Sequence, residues 1–402
     1  MTKHFIFISV FIIAAKTLFG QVIDPFPYKF SSSIYDKIKI DSNQWKGGVT
    51  SSDLSFIGLY KQALIEWDKP RQSVRKISTA DSLEFLTKYK PINAKKYIIK
   101  KAKKNQIIIF NEAHYNPRNR VLLTSLLKDL KKVGFKYFLA ETFNNNASFK
   151  ENYKAPTLNV GYYSMEPQFG NLIREANKLN FILYPYEDTT RSNGKNREIG
   201  EAKNIASLLT KEPNAKIIIY CGFSHIYEDS VYGWEKAMAG RLKEYTGIDP
   251  FTIDQIVLSE KSEMKFSNPY FQIINAKTYS ILVDKNDGPF NKGFDKQQVD
   301  ALLYSPPTKY LNGRPDWVFE NGKTAYFLNP DSIKISFPLI AKAYLKEGDI
   351  ENLVVPIDII EIKNEKDISN IAISVFKKRN FIIQLIDTIG KTQIIRMKNN
   401  RS

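Results

Sequence analysis

Between Gln106 and Gln255, short apolar runs alternate with longer stretches whose apolar residues recur at helical spacing, and this alternation most constrains the fold. The run Gln106-Ile107-Ile108-Ile109-Phe110 has almost no polar face, as a strand buried on both sides requires. Arg118–Val133 follows, with Leu122, Leu123, Leu126, Leu127 and Leu130 at helical spacing and Gly134 placed to end the helix. Further strands are expected at Lys136–Ala140, Phe181–Tyr186 and Lys216–Tyr220. Further helices are expected at Phe169–Leu179, Arg197–Thr210 and Trp234–Tyr245, the last capped by Gly247. Strands linked through helices of about ten or more residues run parallel in one sheet, with helices over both faces. The expected class is α/β: a mainly parallel sheet flanked by helices.

The flanks differ. Residues 21–104 read as a helical lead-in, with helices expected at Leu54–Trp67, Ser82–Tyr89 and Asn93–Lys104. Past about Ala325 come short strand-like runs: Ser332–Phe337, Ile340–Leu345, Asn352–Lys363, Ile371–Phe376, Phe381–Ile386 and Gln393–Met397. Asn364, Asn380 and Gly390 punctuate them. These runs predict an α/β domain over 21–325 and a β-sandwich-like C-terminal domain over 326–402 with a core of its own. At the other end, Lys3, the apolar stretch Phe5–Ala15 and Gly20 before Gln21 read as a signal peptide over 1–20. The stretch falls short of the roughly 20 apolar residues that span a bilayer, although an uncleaved anchor is the alternative. The expectation is an exported chain, periplasmic or secreted, with no transmembrane span once mature.

Counts narrow the chemistry. The single cysteine, Cys221, allows neither an intrachain disulfide nor a thiolate-cluster metal site. Of three histidines, His4 lies in the leader, so imidazole chemistry falls to His114 and His225. The net charge of +17 comes mostly from lysines scattered in groups such as Lys131-Lys132 and Lys377-Lys378-Arg379. With no arginine-rich stripe interleaved with aromatics, no specific nucleic-acid role is expected.

The polar residues that remain fall at strand ends. The first strand runs into Asn111-Glu112-Ala113-His114, the second stops on Glu141, the third on Glu187, and the fourth leads to Gly222-Phe223-Ser224-His225. In an open parallel sheet the loops beyond the carboxyl ends converge, so both mature histidines and three carboxylates should share one rim. Arg197 opens the following helix and could face the same rim, to hold an anionic substrate or to pair with Glu112 or Glu141. Tyr115, Arg118, Tyr186 and Tyr227 are further candidates for lining it, with Tyr115 and Glu187 the candidates for holding a cofactor. Any one strand-end carboxylate could simply cap a helix. There is no G-x-S-x-G elbow, P-loop, H-E-x-x-H or G-x-G-x-x-G motif.

Glu112-x-His114, the Leu-rich helix, Gly134-Phe135, strand-end Glu141, Arg197 and Gly222-x-x-His225 together resemble the superfamily joining erythromycin esterases, ChaN-like haem-binding proteins and TraB/Tiki proteases. Asn116-Pro117 is similar to the ChaN-like branch. The resemblance spans Gln106 to Gln255 and implies a site of Glu112, His114, Glu141, Arg197 and His225. Three readings stay open. The first is a hydrolase of an ester, amide or peptide bond in a small-molecule or peptide substrate. It works either with a divalent metal (zinc, manganese or cobalt) on His114, His225, Glu112 and Glu141, or with His114 as general base and Arg197 and His225 facing the oxyanion. The second is a haem or iron-ligand binding protein, and the third an exported scaffold whose rim residues form only ion pairs.

Overall fold

The structure, a computed structural model, describes residues 28–74, 76–144, 155–190, 194–291 and 298–397. The leader expected at 1–20 lies outside the described residues. Nine helices of eight residues or more are described: Ser31–Ile40 (α1), Lys46–Phe56 (α2), Tyr60–Asp68 (α3), Thr79–Lys88 (α4), Ala94–Ala102 (α5), Arg118–Lys132 (α6), Pro167–Lys178 (α7), Gly194–Lys211 (α8) and Met238–Thr246 (α9). The central sheet uses Lys90–Asn93 (β1), Ile107–Glu112 (β2), Phe135–Ala140 (β3), Ile182–Tyr184 (β4) and Lys216–Gly222 (β5). A small hairpin follows, Ser230–Val231 (β6) and Glu235–Lys236 (β7). The sheet then gains Phe251–Asp254 (β8), Ser280–Val283 (β9) and Ala301–Tyr304 (β10).

The eight strands lie in the order β1-β9-β10-β8-β2-β5-β3-β4, parallel from β10 to β4 and antiparallel where β9 meets its neighbours. The α/β expectation is met, and the reason shows in β2. Ile108 and Phe110 face a core under α5, α6 and α7, while Ile107 and Ile109 face a second core under α8 and α9. A strand with a core on each face has no position for a polar side chain until it ends.

Some element boundaries differ from expectation. The helix expected at Leu54–Trp67 is two helices, because the chain turns at Gly58, in the left-handed region at φ +75°. A Cβ there would meet Ile359 O at 2.1 Å, so only glycine allows this approach. The helix expected from Trp234 starts at Met238, because the preceding residues form the β6–β7 hairpin and Trp234 stacks on His225 at 5.1 Å. No strand forms over Ser332–Phe337. Pro330 starts a 3-10 turn there, and Pro338 has no N–H for a ladder. Strands β1, β8, β9 and β10 were not anticipated.

The C-terminal region is antiparallel. Tyr310–Leu311 (β11) pairs with Arg314–Pro315 (β12), and Lys323–Tyr326 (β13) with Ile373–Phe376 (β16). The last sheet orders Asp358–Ile362 (β15), Leu339–Tyr344 (β14), Phe381–Asp387 (β17) and Thr392–Met397 (β18). The expectation that this region carries a core of its own needs correction. Its apolar face, including Leu339, Ala341, Ile359 and Leu385, shares one core with Ile34, Leu54, Ile57 and Ala63 of the first helices and with Tyr115. Fully buried Arg314 adds a bidentate pair to Asp358, at 2.9 and 2.8 Å. The lead-in helices therefore belong to the C-terminal sheet as much as to the α/β sheet.

Candidate active site

Strands β2, β5 and β3 are neighbours at the middle of the sheet, in a register that pairs Glu112 with Gly222 and Ala140 with Tyr220. Their carboxyl ends thus deliver Glu112, Glu141 and the Gly222–His225 turn to one place, and Glu187 follows β4 on the same rim. Asn111, fully buried, fastens the turn: its amide donates to Phe223 O at 3.0 Å and to Asp254 at 2.6 Å. Phe223 sits in the left-handed region at φ 41°, a conformation costing about 1–3 kcal/mol that the surroundings must hold.

Glu112 is the best-held group. Buried Arg120 donates to both its oxygens, Nε to Oε2 and Nη2 to Oε1, each at 2.6 Å. Arg120 also donates to Glu166 at 3.0 Å and to the His114 carbonyl at 3.0 Å, and Tyr60 donates to Glu166 at 3.0 Å. Burial opposes ionisation of Glu112, but Arg120 and His114 outweigh it and hold the carboxyl down at about 2. An ionised Glu112 can only accept, so the 2.9 Å contact from His114 Nδ1 places that ring's proton on Nδ1. Nε2 is the ring nitrogen left to face the rim. It lies 3.7 Å from Glu141 Oε1, on a ring stacked 3.6 Å from Tyr163.

Glu141 closes the other side. It accepts from Arg197 Nη2 at 2.9 Å and from the Gly222 N–H through a short bond. Burial opposes its charge; His114, His225 and Arg197 overcome that and hold it at about 2. A Cβ on Gly222 would lie 2.4 Å from His114 Nε2 and 2.6 Å from Glu141 Oε2, so glycine is required for the two groups to meet. Arg197 has five N–H donors. Nε lies 2.7 Å from Glu201, Nη1 is 3.1 Å from His225 Nε2, and Nη2 serves Glu141 and, at 3.3 Å, Glu187. One Nη1 hydrogen remains. Burial, then Glu141 and Glu201, push Glu187 up to about 10, so it is a neutral acid at pH 7. Arg197 and Glu187 are the most exposed of the rim groups, at 27% and 25% of their side chains, so the site opens there.

His225 is held from behind by Glu198, 2.7 Å from Nδ1, with Glu201 at 3.7 Å. Two lone pairs would repel at 2.7 Å, so Nδ1 is the ring nitrogen that carries a proton. Burial disfavours a second proton, but Glu141, Glu198 and Glu201 outweigh it and push the ring up to about 9. The contact of Arg197 Nη1 with Nε2 is that of the neutral ring, because two N–H donors cannot bond each other. On protonation Nε2–H has Glu141, 3.9 Å away, as its acceptor. His225 is thus built to take up or release a proton at Nε2 while Nδ1 stays on Glu198.

The residues fit a metal poorly. The quartet expected to bind one, His114, His225, Glu112 and Glu141, spends its donor atoms elsewhere: Glu112 on Arg120, Glu141 on Arg197, His114 Nδ1 on Glu112. Glu198, Glu201 and His225 do bring three ligand atoms within 4.8 Å of one another. Yet ligands at a tetrahedral angle sit about 3.4 Å apart, given metal bonds of about 2.0–2.2 Å. The 2.7 Å between Nδ1 and Glu198 is shorter than that spacing. Haem fits no better. His114 is buried, covered by Tyr163 on its face and Gly222 at its edge, which leaves no room for a porphyrin on Nε2.

Five expected site residues come together: Glu112, His114, Glu141, Arg197 and His225, with Glu187 beside them. Tyr115 does not join them. Its ring stacks on Trp67 at 4.3 Å within the core beneath the C-terminal sheet, so it is structural. Arg118 points to Tyr279 and Pro306 O, and Tyr186 is buried in the core under α8. Four further groups belong to the site: Arg120, Glu198, Glu201 and Tyr163. Arg120 carried a signal, since a cation in a helix's first turn opposes the macrodipole unless an anion holds it.

No protein-family model matches the chain, and no curated protein does. Among solved structures, one similar chain is the type III effector HopBA1. The identity is 10% and the TM-score 0.36, over 54% of this chain and 96% of the effector.

Proposed function

We propose that the rim is a metal-independent hydrolytic site for an ester, amide or peptide bond. The observation that carries this is the Arg120–Glu112–His114 relay, which occupies His114 Nδ1 and leaves Nε2 facing a second cluster of arginine, carboxylates and histidine. His114 Nε2 takes a proton from water, and the resulting hydroxide attacks the carbonyl carbon. The Nη1 hydrogens of Arg197, with His225 protonated beside them, face the oxyanion. When the tetrahedral intermediate collapses, the leaving oxygen or nitrogen recovers the proton from His114. Arg120 and Glu112 touch neither water nor substrate; they position the base.

A panel of nitrophenyl esters, lactones and short peptides tests the reading. Wild type should turn over at least one member, unaffected by a chelator. His114→Ala should lose about 10²-fold or more while its melting temperature stays near wild type. No turnover across the panel, or loss of turnover on chelation, would overturn it.

A further inference from the structure

A second feature shares none of the rim's residues. It is a cleft of about 1170 Å³ between α6, α7 and the start of β4 on one side, and the Asn321–Lys323 and Phe376–Arg379 segments of the C-terminal region on the other. Six cations line it: Lys128, Arg174, Lys178, Lys323, Lys377 and Arg379. Glu175 is the one carboxylate among the described lining residues, and Lys178 already pairs with it at 3.0 Å.

Two of these cations, buried Lys323 and half-buried Arg174, make their hydrogen bonds to neutral oxygens. Lys323 is 3% exposed, and its amine has Gln168 Oε1, at 2.6 Å, as its hydrogen-bond partner. Burial holds that amine down to about 8. Arg174 donates to the neutral oxygens of Asn171 and Val355, and burial lowers it to about 10. Beside them the amide nitrogens of Gln168 and Asn177 are buried with no hydrogen-bond partner. Buried donors left unsatisfied cost about 1–3 kcal/mol each, more for charged groups, so a site rich in them is completed by a ligand that accepts.

We propose that this cleft binds an acidic oligosaccharide. The cations call for repeated negative charge. The unpartnered amide nitrogens of Gln168 and Asn177 call for hydroxyl groups. The volume exceeds the usual 300–1,000 Å³ or so of a small-molecule pocket, which calls for several linked units. Single-stranded nucleic acid would need open aromatic faces for its bases. The two aromatics here do not provide them, since Phe181 is buried in the α/β core and Phe376 packs on the C-terminal core.

Calorimetric titration of the full chain at near-physiological salt tests this, with heparin hexasaccharide and hexagalacturonate as probes. At least one should bind, and which one distinguishes a sulfated from a uronate ligand. Lys377→Glu with Arg379→Glu, both at exposed positions, should weaken binding about tenfold or more. Lys323→Gln should do the same, and Lys39→Gln on α1 should change nothing. Failure of both saccharides to bind, or equal binding by the Lys377→Glu/Arg379→Glu variant, would overturn the proposal. So would an oligonucleotide of equal charge that binds as tightly as either saccharide.

Discussion

Replacing Arg120 by methionine removes the one group that lets two carboxylates stay buried. Arg120 is fully buried, Glu112 is 2% exposed and Glu166 is fully buried, so no water replaces the lost guanidinium. Breaking a buried ion pair by deleting one partner costs about 3–5 kcal/mol. The Glu112 carboxyl gives a second route to the figure: holding it near 2 rather than the ordinary 4.5 is worth about 3 kcal/mol. A lowered acid stabilises the fold fully above its unfolded value and loses that contribution as the pH falls through its folded value. The penalty should therefore stand at about 3–5 kcal/mol near pH 7. By about pH 3, no more than about 1.5 kcal/mol of Glu112's share should remain. Urea unfolding of wild type and Arg120→Met at both pH values measures the gap. Adding Glu112→Gln should recover part of the loss, because the stranded charge is then gone. A penalty under about 1 kcal/mol near pH 7, or one that does not change with pH, would refute the reasoning.

Two further outcomes follow from the geometry. Gly222→Ala should abolish turnover and destabilise the fold, because its Cβ would stand 2.4 Å from His114 Nε2; unchanged activity would show that the two rim clusters do not meet as described. Removing the chain after Ala325 should unfold the lead-in helices as well as the lost sheet, because Leu54, Ile57 and Ala63 would lose their partners. A truncated protein with wild-type helix content by circular dichroism would contradict the shared core.

The sheet was legible where strands are buried on both faces, since Ile107–Phe110 and Ile217–Ile219 admit no polar residue until they end. The rim was legible for the same reason: polar residues at those ends stand out against the run. What stayed hidden depends on which faces meet. Glu198 and Glu201 lie at helical spacing among lysines and read as a solvated surface, yet they back His225. The buried face of α2 carries Ser51, Ser52 and Ser55, each satisfied within the helix; Ser51, for one, donates to Gly47 O at 2.7 Å. A hydroxyl bonded within its own helix can be buried without an apolar pattern to announce it. That concealed the contact between the first helices and the C-terminal sheet.

The central claim is that His114 offers its Nε2 lone pair because ionised Glu112 holds the proton on Nδ1. Nitrogen-15 NMR of histidine-labelled protein lacking residues 1–20 tests this without any substrate, since only His114 and His225 then contribute rings. The neutral form of His114 should carry a protonated Nδ1 and an unprotonated Nε2, with the preference lost in Glu112→Gln. A neutral His114 carrying its proton on Nε2 would contradict it.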